Sequence, residues 1–171
     1  MVLVDSNVLL DVITADPIWS GWSAEALQRH LDAGPAAINA IVVAEIAFAV
    51  ERIEDVDNLL PSHLYRYLSI PREASFLAAR AHAAYRERGG QRQMILPDFL
   101  IGAHALVAGI PLLTRDQRRY RQAFPGLTLI NPDPGATAAR RSPPSWPIWP
   151  AARPCDPAAR WWGSRGRLDD P

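Results

Sequence analysis

A chain of 171 residues, 49% hydrophobic and formally uncharged at pH 7, is long enough to bury one core and shows no net electrostatic bias toward nucleic acid or a membrane surface. All 18 basic residues are arginine, and the lack of lysine excludes Schiff-base chemistry, the G-x-x-x-x-G-K-S/T phosphate loop, and lysine-assisted aspartyl-phosphate enzymes and receiver domains in their usual forms. The single cysteine, Cys155, permits neither an internal disulfide nor a cysteine zinc cluster, and it fits a reducing compartment, with the cytoplasm as the default.

The amino terminus, MVLVDSNVLLDV, reads as a short strand over residues 1–4, a turn at Asp5 and a helix over 8–13. It has no positive charge ahead of its apolar stretch and carries Asp5 inside it, unlike a secretory signal, so the mature chain is expected to start here. No apolar run approaches the roughly 18 residues that span a bilayer. After Asp16-Pro17 and a segment with Trp19 and Trp22, a helix over 23–31, capped by Ser23, is stopped by Gly34-Pro35. Residues 36–39 form a strand. From Ile41 to Arg52 the apolar residues Ile41, Val42, Ile46, Phe48 and Ala49 follow helical spacing, and this helix carries Glu45.

A polar stretch over 54–58 leads to a weaker helix around Leu59, a strand over 64–70 closed by Pro71, and a helix over 72–88 ended by Gly89-Gly90. Leu96-Pro97-Asp98 then opens an alanine-rich helix over 99–108, followed by a strand over 110–114, Asp116 directly after it, and a last strand over 127–130. Short apolar strands alternating with helices predict an α/β domain with a mainly parallel sheet. After residue 131 the texture changes. Residues 132–171 hold nine prolines, four tryptophans and six arginines without sustained periodicity, so this segment is expected to be a disordered tail outside the domain of residues 1–131. Its bias fits GC-rich DNA read past or out of its natural frame; six arginines against four acids also fit a flexible basic arm.

Ligand sites of open α/β sheets lie beyond the carboxyl ends of the strands, where Asp5 and Asp116 are predicted to fall. Either aspartate read alone is equally a turn or capping residue. Glu45 has Ile41, Val42, Phe48 and Ala49 as its helical neighbours and is expected to point toward the core. There it needs a partner, unless it sits on a rim reaching water. Asp98 alone reads as a helix-start acid. Four carboxylates gathered in one pocket would repel, and no arginine partner is evident for them. A hard divalent cation, Mg²⁺ or alternatively Mn²⁺, resolves the repulsion with one or two direct carboxylates and the rest acting through water. Such an ion activates water for phosphodiester hydrolysis without a covalent enzyme intermediate.

With these positions in view, the chain resembles the PIN-domain nucleases, and among them the VapC toxins of bacterial toxin–antitoxin pairs. The resemblance rests on VDSNVLLD at 4–11, VVAEIAF at 42–48, LPDFLIGAHALVAG at 96–109 and LLTRDQRRYRQAFPGL at 112–127. It implies a three-layer α/β/α fold around a mainly parallel sheet, Mg²⁺-dependent endoribonuclease activity, a homodimer and a cognate antitoxin. It makes Asp5 and Asp98 the principal metal ligands, with Glu45 and Asp116 acting directly or through water, and Ser6 and Thr114 the hydroxyls that orient them. A Mg²⁺-dependent DNA nuclease or phosphoesterase, and a non-catalytic module holding a structural ion, are the rival readings.

Arg115, Arg118, Arg119 and Arg121 bracket or follow Asp116 and are placed to hold backbone phosphates, or else form a solvated helix face. Arg86, Arg88 and Arg92 are candidates for a second wall of an RNA groove. Trp19, Trp22 and Phe48 either pack in the core or line an apolar groove for an antitoxin segment. The histidines His30, His63, His82 and His104 show no metal-ligand spacing and receive no role, and Cys155 is expected to be inert.

Overall fold

The computed structural model describes residues 1–89 and 96–132. Five strands, β1 (Leu3–Val4), β2 (Ala36–Ile38), β3 (Tyr65–Tyr67), β4 (Leu112–Leu113) and β5 (Leu129–Ile130), form one sheet in the order β3-β2-β1-β4-β5. Every pairing is parallel. Parallel strands in the middle of such a sheet are covered on both faces and carry continuous apolar runs. Accordingly, β1, β2 and β4 are buried throughout. The edge strand β3 instead exposes Arg66 and Tyr67, a charged and bulky rim that discourages further pairing.

The helices are α1 (Ser6–Ile13), α2 (Ser20–Asp32), α3 (Ala40–Ala47), α4 (Ile53–Leu59), α5 (Arg72–Glu87), α6 (Leu96–Val107) and α7 (Gln117–Ala123). Helix α1 packs on α2 and α3, α3 packs on α4, and α5, α6 and α7 pack on one another, with α3 touching α6. The chain steps outward from β1 through β2 to β3, then crosses back to β4 and continues to β5. Right-handed crossovers in opposite directions put the two helix groups on opposite faces of the sheet, giving three layers. The reversal makes the crevice between β1 and β4 the topological switch point, where open α/β sheets bind ligands. Both strands deliver acids there.

Four local departures from the sequence expectation bear on the site. The helix predicted over 41–52 stops at Ala47. Its end tightens through Ala49 N–H to Ile46 O and Val50 N–H to Ala47 O, and Arg52 is extended as the cap of α4. The polar stretch 54–58 is itself helix α4, with Glu54 and Asp55 in the first turn where the helix dipole favours them. Helix α6 starts at Leu96, with Pro97 and Asp98 both inside its first turn. Helix α7, which the sequence offers only as the alternative reading of the arginines after Asp116, is anchored by Tyr120 and Phe124, each 2% exposed and one turn apart. No described helix is long and apolar enough to cross a membrane. The tail assigned to 132–171 lies, apart from Pro132, outside the described residues, as do Arg92 and Cys155.

Candidate active site

Asp5 closes β1. Its backbone N–H donates to Leu113 O of the neighbouring strand at 2.9 Å, which fixes its Cα at the sheet edge over the switch point. It occupies the cap position of α1 but makes no side-chain cap bond. Instead its carboxylate enters the crevice, and the side chain is 3% exposed. Oδ2 accepts from Asn7 Nδ2 at 2.6 Å, Thr114 Oγ1 at 2.7 Å and the Tyr120 hydroxyl at 3.1 Å. Oδ1 has one contact among the described residues, the Ser6 hydroxyl at 3.5 Å. The Ser6 hydroxyl is also hydrogen-bonded to Glu45 Oε2, and its single proton cannot serve both acids at once. One oxygen of Asp5 is therefore saturated, while the other is left with an outstanding electron pair.

Burial pushes the Asp5 carboxyl up, the Thr114 bond opposes it, the charges of Asp98 and Glu45 push it further, and the balance lies at about 6. Asp98 is also raised, by burial first and by Asp116, against the pull of Arg119. The charges of Asp98 and Glu45 thus reach Asp5, and that of Asp116 reaches Asp98.

Supporting groups hold it in shape. Thr114, fully buried at the end of β4, donates to Asp5 and accepts from Asn7 Nδ2 and the Asp116 N–H, both at 3.1 Å, so its hydroxyl is fully used. Asn7 Oδ1 accepts from the Arg115 N–H at 3.3 Å. Asp116 is the cap of α7, accepting from the Arg119 N–H at 3.4 Å, so its capping role and its place beside the crevice coexist.

Two expectations are corrected. Glu45 does not point into the core. On α3 the buried positions are Val42 and Ile46, one turn apart, and Glu45 stands on their flank, half-buried at a groove lined by Ser6, Asn7, Leu10, Phe48, Ala49 and Arg115. The deeply buried acid is Asp5. The acids also do have an arginine partner. Arg119 Nη1 lies 3.0 Å from Asp98 Oδ2 and its Nε lies 2.9 Å from Asp116 Oδ2. The sequence hides this pairing because residues 98 and 119 meet only when α7 folds onto α6.

Of the other arginines, Arg115 pairs with buried Asp11 at 3.4 Å and lies 5.9 Å over the Trp19 ring, while Ser23 donates to Asp11 at 2.7 Å. Arg118 and Arg121 line an open surface groove with Gln117 and Gln122. Arg86 and Arg88 are exposed at the end of α5. The three aromatics separate: Trp22 packs against the core, Trp19 is half-buried beneath Arg115, and Phe48 is 85% exposed on the groove beside Glu45.

The residues that sequence reasoning missed are Asn7, Tyr120 and the pair Asn39–His104. Asn39, fully buried after β2, caps α3 through Oδ1, which accepts from the Ile41 and Val42 N–H groups at 3.0 and 3.1 Å. Its Nδ2 meets His104 Nδ1 at 3.1 Å. Because Nδ2 can only donate, Nδ1 accepts, and burial holds the imidazole neutral with its pKa lowered. The start of the Glu45 helix is thus tied to the Asp98 helix. The polar identity of Asn39 at a strand–helix junction was the available signal.

Among the described residues no three His, Cys, Asp or Glu side chains form a preformed metal cage. The donor set nevertheless fits a hard divalent ion, because such ions take one or two direct carboxylates and keep several waters. Asp5 Oδ1 and the oxygens of Asp98 are the groups that would hold it.

The sequence profile of the PIN domain family matches residues 2–125. Comparison with curated proteins gives no match. Among solved structures, the chain is similar to VapBC2 from Rickettsia felis bound to a promoter DNA fragment, at 19% identity and a TM-score of 0.59, covering 78% of this chain and 100% of that one. It is also similar to FitAcB from Neisseria gonorrhoeae (20% identity, TM-score 0.56, 77% and 97% covered) and to DNA-bound VapBC from Salmonella typhimurium (17%, 0.56, 77% and 98%). PIN domains are generally nucleases that use divalent metal ions. With its match covering well over half its length and its acids at the switch point, the chain belongs to the PIN domain family.

Proposed function

We propose that this protein is a Mg²⁺-dependent endoribonuclease, the toxin of a VapBC-type pair, with Asp5 and Asp98 as direct metal ligands and Glu45 and Asp116 acting directly or through water. The observation that carries the reading is the asymmetry of Asp5, whose Oδ2 is saturated by three donors while Oδ1 has only the Ser6 hydroxyl, at 3.5 Å, among the described residues. That arrangement presents one oxygen, in a fixed direction, to a cation. A divalent ion held there supplies Lewis-acid polarisation of the phosphate and a more acidic bound water.

The protein's own groups do the rest. Thr114, Asn7 and Tyr120 fix the direction of Asp5. Glu45, with Oε2 engaged by Ser6, has Oε1 to take the proton of an attacking water as its oxygen bonds to phosphorus and the ester P–O bond breaks. Arg118 and Arg121, on the exposed side of α7, bind flanking phosphates. The antitoxin is the occupant proposed for the groove that exposes Phe48, since the neighbouring structures named above are toxin–antitoxin complexes. A homodimer completes the proposal.

The test is cleavage of a labelled RNA and the matching DNA by the full chain and by Asp98→Asn, with Mg²⁺ (or Mn²⁺) and with EDTA. The expected result is metal-dependent cleavage of RNA alone, reduced by at least a hundredfold in the variant. Cleavage in EDTA, or an unaffected variant, overturns the mechanism; cleavage of DNA alone retains a nuclease and removes the RNA assignment.

A further inference from the structure

Arg119 is the single cation in contact with two of the four crevice acids among the described residues, and it contacts them in an unusual way. Two edges of one guanidinium are used: Nη1 meets Asp98 Oδ2 and Nε meets Asp116 Oδ2, at 3.0 and 2.9 Å. One acid belongs to the first turn of α6 and the other caps α7, so the arginine bridges elements that come from different parts of the chain. The oxygens it occupies are those that a divalent ion in this crevice would draw on. Its side chain is 48% exposed, so it can swing into water without leaving a buried charge behind. Arg118, its neighbour, makes no ion pair among the described residues and lines the groove with Gln117, Arg121 and Gln122.

We propose that Arg119 is a resident counter-cation that competes with the divalent ion for Asp98 and Asp116. Metal entry then displaces the guanidinium toward the open side of the crevice, where it becomes available to a substrate phosphate. This rests on the nuclease reading of the acids and adds a reciprocal coupling to it. Whatever strengthens the Arg119 bridge weakens metal binding, and metal binding frees an arginine.

The experiment is calorimetric titration of Mn²⁺ and Mg²⁺ into the full chain without RNA, for wild type, Arg119→Gln, Arg118→Gln and Asp98→Asn, at 0.15 M salt. Two part-exposed ion pairs, each opposing the metal by a fewfold, predict about three- to tenfold tighter metal binding in R119Q. R118Q, which loses the same charge one residue away, should change by less than about twofold. A second readout guards against damage to α7: R119Q should melt lower than wild type in EDTA and show the larger metal-induced rise in Tm. Equal or weaker metal binding by R119Q than by R118Q overturns the competition while leaving the acids as ligands. Tight binding that persists in D98N overturns the assignment of Asp98, and with it the competition. A wild type that binds neither ion overturns both.

Discussion

Removing only the Tyr120 hydroxyl isolates one of the forces acting on Asp5. In Tyr120→Phe the ring still fills its site, 2% exposed, while Asp5 Oδ2 keeps two donors, Asn7 and Thr114. With the carboxyl at about 6 against an ordinary 3.8, Asp5 is ionised in the metal-free fold at pH 8 and protonated at pH 5. The sign follows from the raised value. The fold gains from a protonated Asp5 fully below pH 3.8 and loses that gain as pH rises through 6, a loss of about 3 kcal/mol at 1.36 kcal/mol per pKa unit. The Tyr120 bond opposes this loss only when Asp5 is charged. A bond to a charged acceptor contributes about 1.5–3 kcal/mol and a neutral one about 0.5–1.5 kcal/mol. Urea unfolding in EDTA should therefore show Y120F less stable than wild type by roughly 2 kcal/mol at pH 8 and by about half that at pH 5. A pH-independent difference, or a variant more stable than wild type at pH 8, would refute the claim that the hydroxyl stabilises an ionised Asp5.

Gly102→Ala would place a Cβ 2.7–2.8 Å from ring carbons of Phe124 and Tyr120. Overpacking of about 1–3 kcal/mol, less about 1 kcal/mol of helix propensity gained, predicts a net loss of up to about 2 kcal/mol in urea melts, with α7 displaced; a stabilised variant would show that α7 yields freely. Thr114→Val removes a donor and an acceptor used three times, so it should cost about 3 kcal/mol, more than Y120F, in the same assay. His104 should remain neutral, with its proton on Nε2, at pH values below 6.5 by imidazole NMR. Because its folded pKa is depressed below the unfolded 6.5, its contribution to stability falls as the pH drops below that value. Titration at or above 6.5 would remove the Asn39–His104 tie as drawn.

The layer structure was legible because it depends on short-range patterns. Apolar runs of two to four residues bounded by Gly34-Pro35, Pro71, Gly109 and Asn131-Pro132 alternate with helical periodicity, and that alternation specifies a parallel α/β sheet with few alternatives. The boundaries were less legible where polarity and helix formation coincide. The polar stretch 54–58 reads in the sequence as leading to a weaker helix around Leu59, whereas it forms the body of α4, with Glu54 and Asp55 in the acidic first turn that a helix amino terminus favours. Helix α7 was hidden by its arginines, since Tyr120 and Phe124 give it only two apolar anchors.

At the site, residue types were legible and their burial was not. Glu45 looked hardest to accommodate because its helical neighbours are apolar, yet a helix of eight residues at a crevice edge has a flank as well as a core face, and Glu45 lies on the flank. Asp5 looked replaceable by a cap, yet it is the acid whose charge the fold opposes most. Sequence shows neither the burial that opposes the charge nor the donors Thr114 and Tyr120, which support it from 109 and 115 residues away. The same distance dependence explains Arg119, which cannot be paired with Asp98 until α6 and α7 are in contact. On the proposed nuclease reading, a crevice that raises Asp5, employs three donors to hold it and offsets its neighbours with one arginine has room for the charge of a further cation. The metal-free state should therefore be the less stable one, and added divalent ion should raise Tm most at pH values above 6, where Asp5 is charged.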